Sequence, residues 1–267
     1  MNRLVLIALA ATIGTWLVTA LGAATVVFFK SPNQKIMNVM LGFASGVMIA
    51  ASFWSLLDPA TEKAAEVSPL PPYIVVTAGF LLGALFIRSS DKIVTFMRIK
   101  ADCANGEPNE RLNRIIMLVL SVTLHNIPEG LAVGVAFGAL SGKELTVDNL
   151  LGAATIAVGI GLQNFPEGAA VSVPLRREGY SRKRSFFIGQ ASGMVEPVSG
   201  VIGALLVVYT QRILPYALSF AAGAMILVAV HELIPECQKN KAASPYFATM
   251  GIISGFAVMM LLDIMLS

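Results

Sequence analysis

Eight long apolar runs separated by short polar connections make up nearly the whole chain: roughly 4–29, 36–57, 71–90, 115–140, 150–174, 186–209, 214–236 and 246–266. Each approaches or exceeds the ~20 residues a helix needs to cross a bilayer. The pattern predicts an all-α polytopic membrane protein, with residues 1–267 forming a single eight-span domain. Arg3 ahead of the first run gives it the look of a signal peptide. The run is far longer than a signal core of about 7–15 residues, so it counts as a span. The third run is opened by Pro69, Pro71 and Pro72 and closed by Arg88. The longest connection, about 91–114, carries Asn105-Gly106 and Glu107-Pro108-Asn109 and predicts a flexible loop.

Composition sharpens this picture. The chain is 56% hydrophobic and 13% charged, with a mean hydropathy of +0.75, whereas soluble domains carry about 25% charged residues. Fifteen Lys and Arg residues fall in the connections after spans one, three, five and seven; only Arg3, Lys63, Lys143 and Arg212 fall on the other side. Basic loops stay cytoplasmic, so both termini are predicted to face away from the cytoplasm. The net charge of +3 is therefore topological and offers no case for nucleic acid. Cys103 and Cys237 are too few for a disulfide framework. Small residues recur at four-residue spacing, as in Gly42/Gly46, Gly130/Gly134/Gly138 and Gly189/Gly193; they suit close helix packing, although such residues are common in membrane helices anyway.

The chemistry lies where charge is least expected. Span four contains Leu124-His125-Asn126-Ile127-Pro128-Glu129-Gly130, and span five contains Leu162-Gln163-Asn164-Phe165-Pro166-Glu167-Gly168. Ionisable groups at mid-membrane cost about 2.5–3.5 kcal/mol each on insertion scales, which makes a functional site the default reading. His125 and Glu129 share one helix face, and Asn126 and Glu129 an adjoining one. Pro128 has no amide hydrogen, so a freed carbonyl at Leu124 and a local kink are expected. Two antiparallel copies of one motif are what an inverted repeat leaves, with the substrate site near the midplane where the halves meet. Glu196, followed by Pro197, adds a third mid-span carboxylate in span six. Two divalent cations would nearly balance three carboxylates. Imidazole with carboxylate suits Zn²⁺ and its neighbours; Cu(I) would prefer thiolates, and an all-oxygen Mg²⁺ or Ca²⁺ site would not need His125.

HNIPEG followed by a second xNxPEG, on the fourth and fifth of eight spans, resembles the ZIP family of divalent-metal transporters along essentially the whole chain. The resemblance implies uptake of Zn²⁺-like ions (Cd²⁺, Fe²⁺ and Mn²⁺ among them) into the cytoplasm through a binuclear mid-membrane centre. It implies an elevator-like or rocking movement, with spans one, four, five and six carrying the metal. By position, the first metal would meet His125, Glu129, Gln163 and Glu167, and the second Asn126, Glu129, Asn164, Glu167 and Glu196. Met48 matches a thioether that can join the first site, and Ser55 a hydroxyl on the path. Many relatives have histidine at Gln163; the amide here resembles the bacterial, GufA-like branch and weakens strict zinc selectivity. A bacterial inner membrane and a homodimer are the corresponding expectations. The family's histidine-rich loop is absent, since His125 and His231 are the only histidines.

Other polar residues lie toward the ends of the path. Asp58, Glu62 and Asp263 at the outer mouth read as cation attractors or as ordinary interfacial charges. His231 and Glu232 begin like a zincin HExxH, but Pro235 stands where the second histidine would be. With Asp91 they form either a cytoplasmic relay or a solvated helix end. An intramembrane metal-dependent enzyme would need an activated nucleophile beside the carboxylates, and none is visible. A channel-like permease would need a polar stripe along a helix, whereas the polar groups cluster at one depth.

Overall fold

Each apolar run becomes helix. The computed structural model describes residues 3–28, 33–105, 110–142, 145–238 and 245–266, and no strand occurs among them. Span one is α1 (Arg3–Ala23) with the short α2 (Thr25–Phe28). Span two is α3 (Gln34–Ala51), a π-helical segment Ser52–Leu57 and α4 (Asp58–Val67). Spans three, four and five are α5 (Pro72–Asn105), α6 (Glu110–Gly138) and α7 (Val147–Arg177). Span six is α8 (Arg182–Ala191) and α9 (Val195–Tyr209). Span seven is a 3₁₀ turn (Gln211–Ile213), α10 (Leu214–Val228), a second π-helical segment Ala229–Leu233 and α11 (Ile234–Gln238). Span eight is α12 (Pro245–Leu266). Seven of the spans are long and apolar enough to cross a membrane. The remaining one, α7, has 31 residues, and its hydropathy is diluted by Gln163, Asn164 and Glu167.

Side chains set several helix starts. Asn33 Oδ1 accepts the amide of Lys35 at the start of α3, and Thr146 and Ser181 do the same at α7 and α8; each satisfies an amide that would otherwise be orphaned.

Two expectations are corrected. The connection predicted as a loop over 91–114 is helical up to Asn105 and again from Glu110; its central residues 106–109 lie outside the described set. No Gly or Pro interrupts 91–105, and its Lys, Arg, Met and Ile residues are compatible with helix. Span six is not continuous, but breaks at Ser192-Gly193-Met194, immediately before Glu196. Pro197 then falls in the first turn of α9, where its missing amide hydrogen costs nothing. By contrast, α6 runs through Pro128 and α7 through Pro166 and Pro174.

The spans sort into two bundles. The most extensive packing pairs span one with five and four with six, and separately two with eight and three with seven. Exchanging one with six, two with seven, three with eight and four with five maps these pairings onto one another. Adjacent spans alternate in direction, so the exchange is an inversion. Backbone contact explains the closeness of the second bundle: a β-carbon at Gly46 would overlap the carbonyl of Ile252, and one at Gly255 that of Phe43. Gly46→Val is accordingly expected to cost at least about 1–3 kcal/mol through overpacking. It should be read as a fall of several degrees in the thermal midpoint of the detergent-solubilised protein.

Candidate metal centre

The two motifs meet at the centre of the first bundle. Gln163 Nε2 donates to Glu129 Oε1 at 2.6 Å, which joins α7 to α6. Asn164 Nδ2 donates to both oxygens of Glu196, at 3.0 and 2.9 Å, which joins α7 to α9. Asn126 Nδ2 donates to the carbonyl of Ser192 at 2.8 Å, in the break of span six. Glu196 sits in the first turn of α9, where the helix dipole favours an anion. Glu129, Gln163, Asn164, Glu196 and Met48 are fully buried, and His125, Asn126 and Glu167 nearly so.

What these residues lack matters more than what they have. Asn126 Oδ1, Glu129 Oε2, Gln163 Oε1, Asn164 Oδ1 and Glu167 Oε1 are all buried with no hydrogen-bond donor. Buried polar atoms are nearly always paired, and an unpaired one costs about 1–3 kcal/mol. Five orphaned oxygens on the two motif copies, all hard acceptors, form a donor set suited to cations. Glu129 also lies within electrostatic reach of Glu167 and Glu196.

His125 points elsewhere. Its Nε2 is 2.8 Å from Glu232 Oε1 in the second π-helical segment. The contact is at an ion pair's distance, and the nitrogen has no other partner among the described residues. One ligand atom each of Asp91, His125 and Glu232 lies within 4.8 Å of the other two. The histidine that the resemblance assigns to the first metal thus belongs, in this conformation, to a group one helical turn away, with Asp91 of α5 and Glu232 of span seven. His231 is exposed beside this group, within electrostatic reach of Asp91 and Glu232. At the other end Ser55 Oγ donates to Asp263, 2.7 and 2.9 Å from its two oxygens, and both residues are buried. Asp58 and Glu62 stand exposed on α4 and join neither group.

Sequence reasoning missed the residues that hold Glu196. Thr15 Oγ1 donates to its Oε2 at 2.5 Å, and Thr19 Oγ1 to its Oε1 at 3.4 Å. Their signal was present: Thr12, Thr15 and Thr19 are buried on one face of the otherwise apolar α1. Ser121, which donates to Glu232 Oε2 at 3.1 Å, was missed too.

With the geometry in place, comparison with known proteins is direct. The ZIP Zinc transporter family model matches residues 100–263, more than half of the chain. The chain belongs to the ZIP family. It is 38% identical to zinc transporter ZIP11 of Homo sapiens over 96% of both chains. It is 35% identical to zinc transporter GufA of Myxococcus xanthus, covering 93% of this chain and 94% of that one. It is 36% identical to zinc transporter ZIPB of Bordetella bronchiseptica, covering 92% of this chain and 76% of the relative. Likeness to both ZIP11 and GufA agrees with the branch read from Gln163. As a ZIP-family protein it is a multi-pass membrane transporter rather than an enzyme.

Proposed function

We propose that the protein imports Zn²⁺, and less selectively Cd²⁺, Fe²⁺ and Mn²⁺, across a bacterial inner membrane into the cytoplasm. The observation that carries this reading is the set of five orphaned oxygens on Asn126, Glu129, Gln163, Asn164 and Glu167. Glu129 and Glu167 would bridge two ions, with His125, Gln163 and Met48 completing the first site and Asn126, Asn164 and Glu196 the second. Dehydrating a divalent ion at mid-membrane is offset by the carboxylates, whose own burial is otherwise unfavourable. The movement would be elevator-like, spans one, four, five and six sliding as a unit against spans two, three, seven and eight. The division of the fold into those two bundles supports this. The protein would act as a homodimer. The test is Zn²⁺ uptake by purified protein in liposomes with Cd²⁺, Fe²⁺ and Mn²⁺ competing; saturable uptake is expected, and flux that rises without limit would reject a carrier.

Direction depends on orientation. Single cysteines near Arg177 are expected to react with impermeant maleimide only from the cytoplasmic side, and those near Lys63 only from outside. The reverse pattern would overturn import.

Gln163 should set selectivity. An imidazole in place of its amide is a softer, stronger zinc ligand. Gln163→His is expected to tighten Zn²⁺ binding about tenfold and to slow release, since the same site must let the ion go. Unchanged affinity by calorimetry and unchanged turnover would remove Gln163 from the ligand set.

A further inference from the structure

Spans two and seven carry near-copies of one short sequence. Phe43-Ala44-Ser45-Gly46-Val47-Met48-Ile49 recurs as Phe220-Ala221-Ala222-Gly223-Ala224-Met225-Ile226. The π-helical segments begin at corresponding residues, Ser52 and Ala229. Spans three and eight repeat as well: Gly79 and Gly83 precede Asp91 at the spacing with which Gly251 and Gly255 precede Asp263. The contacts repeat with the sequence. Gly46 lies against the carbonyl of Ile252 and Gly223 against that of Phe80; Gly255 lies against the carbonyl of Phe43 and Gly83 against that of Phe220.

Carried to the ends of these spans, the correspondence places Ser55 where the other half has Glu232, and Asp263 where it has Asp91. The spans four and five motifs set Gln163 against His125. The three residues gathered at the cytoplasmic end, Asp91, His125 and Glu232, therefore have three counterparts: Asp263, Gln163 and Ser55. Two of these already touch. The third, Gln163, is turned to Glu129. In the inverted arrangement, Gln163 would reach Ser55 and Asp263 while His125 withdrew toward Glu167.

We propose that Asp91–His125–Glu232 and Asp263–Gln163–Ser55 are two copies of one cation station, at the cytoplasmic and outer ends of the path, each complete only in one conformation. This rests on the transport reading above. The copies have diverged in strength. The cytoplasmic station offers two carboxylates and an imidazole, whereas the outer one offers a single carboxylate, an amide and a hydroxyl. The outer station would thus hold a divalent cation weakly and pass it readily to the mid-membrane site, and Ser55 is the residue that keeps it weak.

Two measurements on the full-length purified protein test this. Ser55→Glu is expected to bind one additional Zn²⁺ per chain by equilibrium dialysis and to lose it again when Asp263→Asn is added. Ser55→Asp is the second variant should the longer side chain disturb folding, which monodispersity would reveal. In a Cys103→Ser/Cys237→Ser background, Ser55→Cys/Gln163→Cys is expected to be bridged by Hg²⁺ and so protected from maleimide. Failure of that pair to bridge, or acid variants that bind no more Zn²⁺ than the unsubstituted protein, would overturn the proposal. Neither readout needs net flux, so a protein that passes both tests yet moves no Zn²⁺ would refute the transport reading and leave the paired stations standing.

Discussion

Replacing Glu129 or Glu167 by alanine is expected to abolish Zn²⁺ uptake while leaving a folded, inserted protein. Each is proposed to bridge both ions, so one truncation removes a ligand from two sites at once. Loss of a partner that merely orients a ligand costs about 10–100-fold in affinity; loss of a bridging carboxylate should cost more, and flux should fall below roughly 1% of the unsubstituted rate. The unliganded fold should tolerate the change. Glu129 is fully buried, and deleting a buried acid offsets part of the cost of stranding Gln163 Nε2, about 1–3 kcal/mol. Thermal unfolding separates the two effects. Saturating Zn²⁺ stabilises a competent protein by about 2.7 kcal/mol at a hundred times Kd, and the alanine variants should lose that shift while keeping a midpoint near the metal-free one. Persistent uptake in either variant would refute the bridging assignment.

Glu196→Ala is expected to reduce bound Zn²⁺ from two ions per chain to one and to retain partial flux, because His125, Glu129, Gln163 and Glu167 remain. His125→Ala should damage flux more, since it removes the sole imidazole from the first site and also opens the cytoplasmic station. The glutamate also serves the fold. Its removal takes a charged acceptor from Thr15, Thr19 and Asn164 and leaves them only the carbonyls of Thr12 and Thr15 in α1, so this variant should also lose some stability. Calorimetric or anomalous-scattering stoichiometry decides the matter. One ion in the unsubstituted protein, or a Glu196→Ala protein as inactive as Glu129→Ala, would contradict a binuclear centre of unequal sites.

Eight spans could be read from the chain because lipid imposes a length and a polarity that no soluble core requires. Both motifs could be read because an acid after proline in mid-span is costly wherever it occurs. The break at Ser192-Gly193-Met194 was less visible, since the sequence pattern makes 186–209 one run, with Glu196 as a mid-span carboxylate inside it. Its true position, in the first turn of α9, depends on threonines contributed by α1. The placement of His125 was also hidden. Helical spacing puts it on the face of Glu129, but a flexible ring one turn away can reach either Glu129 or a neighbouring span, and the packed structure brings it to Glu232. The likeness of spans two and seven is hidden for a different reason: it links distant, inverted segments in which small and apolar residues are common throughout.

The interleaving of the two bundles has a consequence for biogenesis. Gly46 packs on Ile252, about 200 residues further along the chain. At roughly 5–20 residues per second, span two would wait on the order of 10–40 seconds for its partner to be synthesised. During that interval its glycine face and the π-helical segment at its end must be shielded by lipid, by the insertion machinery or by provisional contacts with earlier spans. A ribosome stalled after span five would have made both PEG motifs but neither span six with its Glu196 nor spans seven and eight, the second half of the other bundle, and its product would be a natural substrate for membrane quality control.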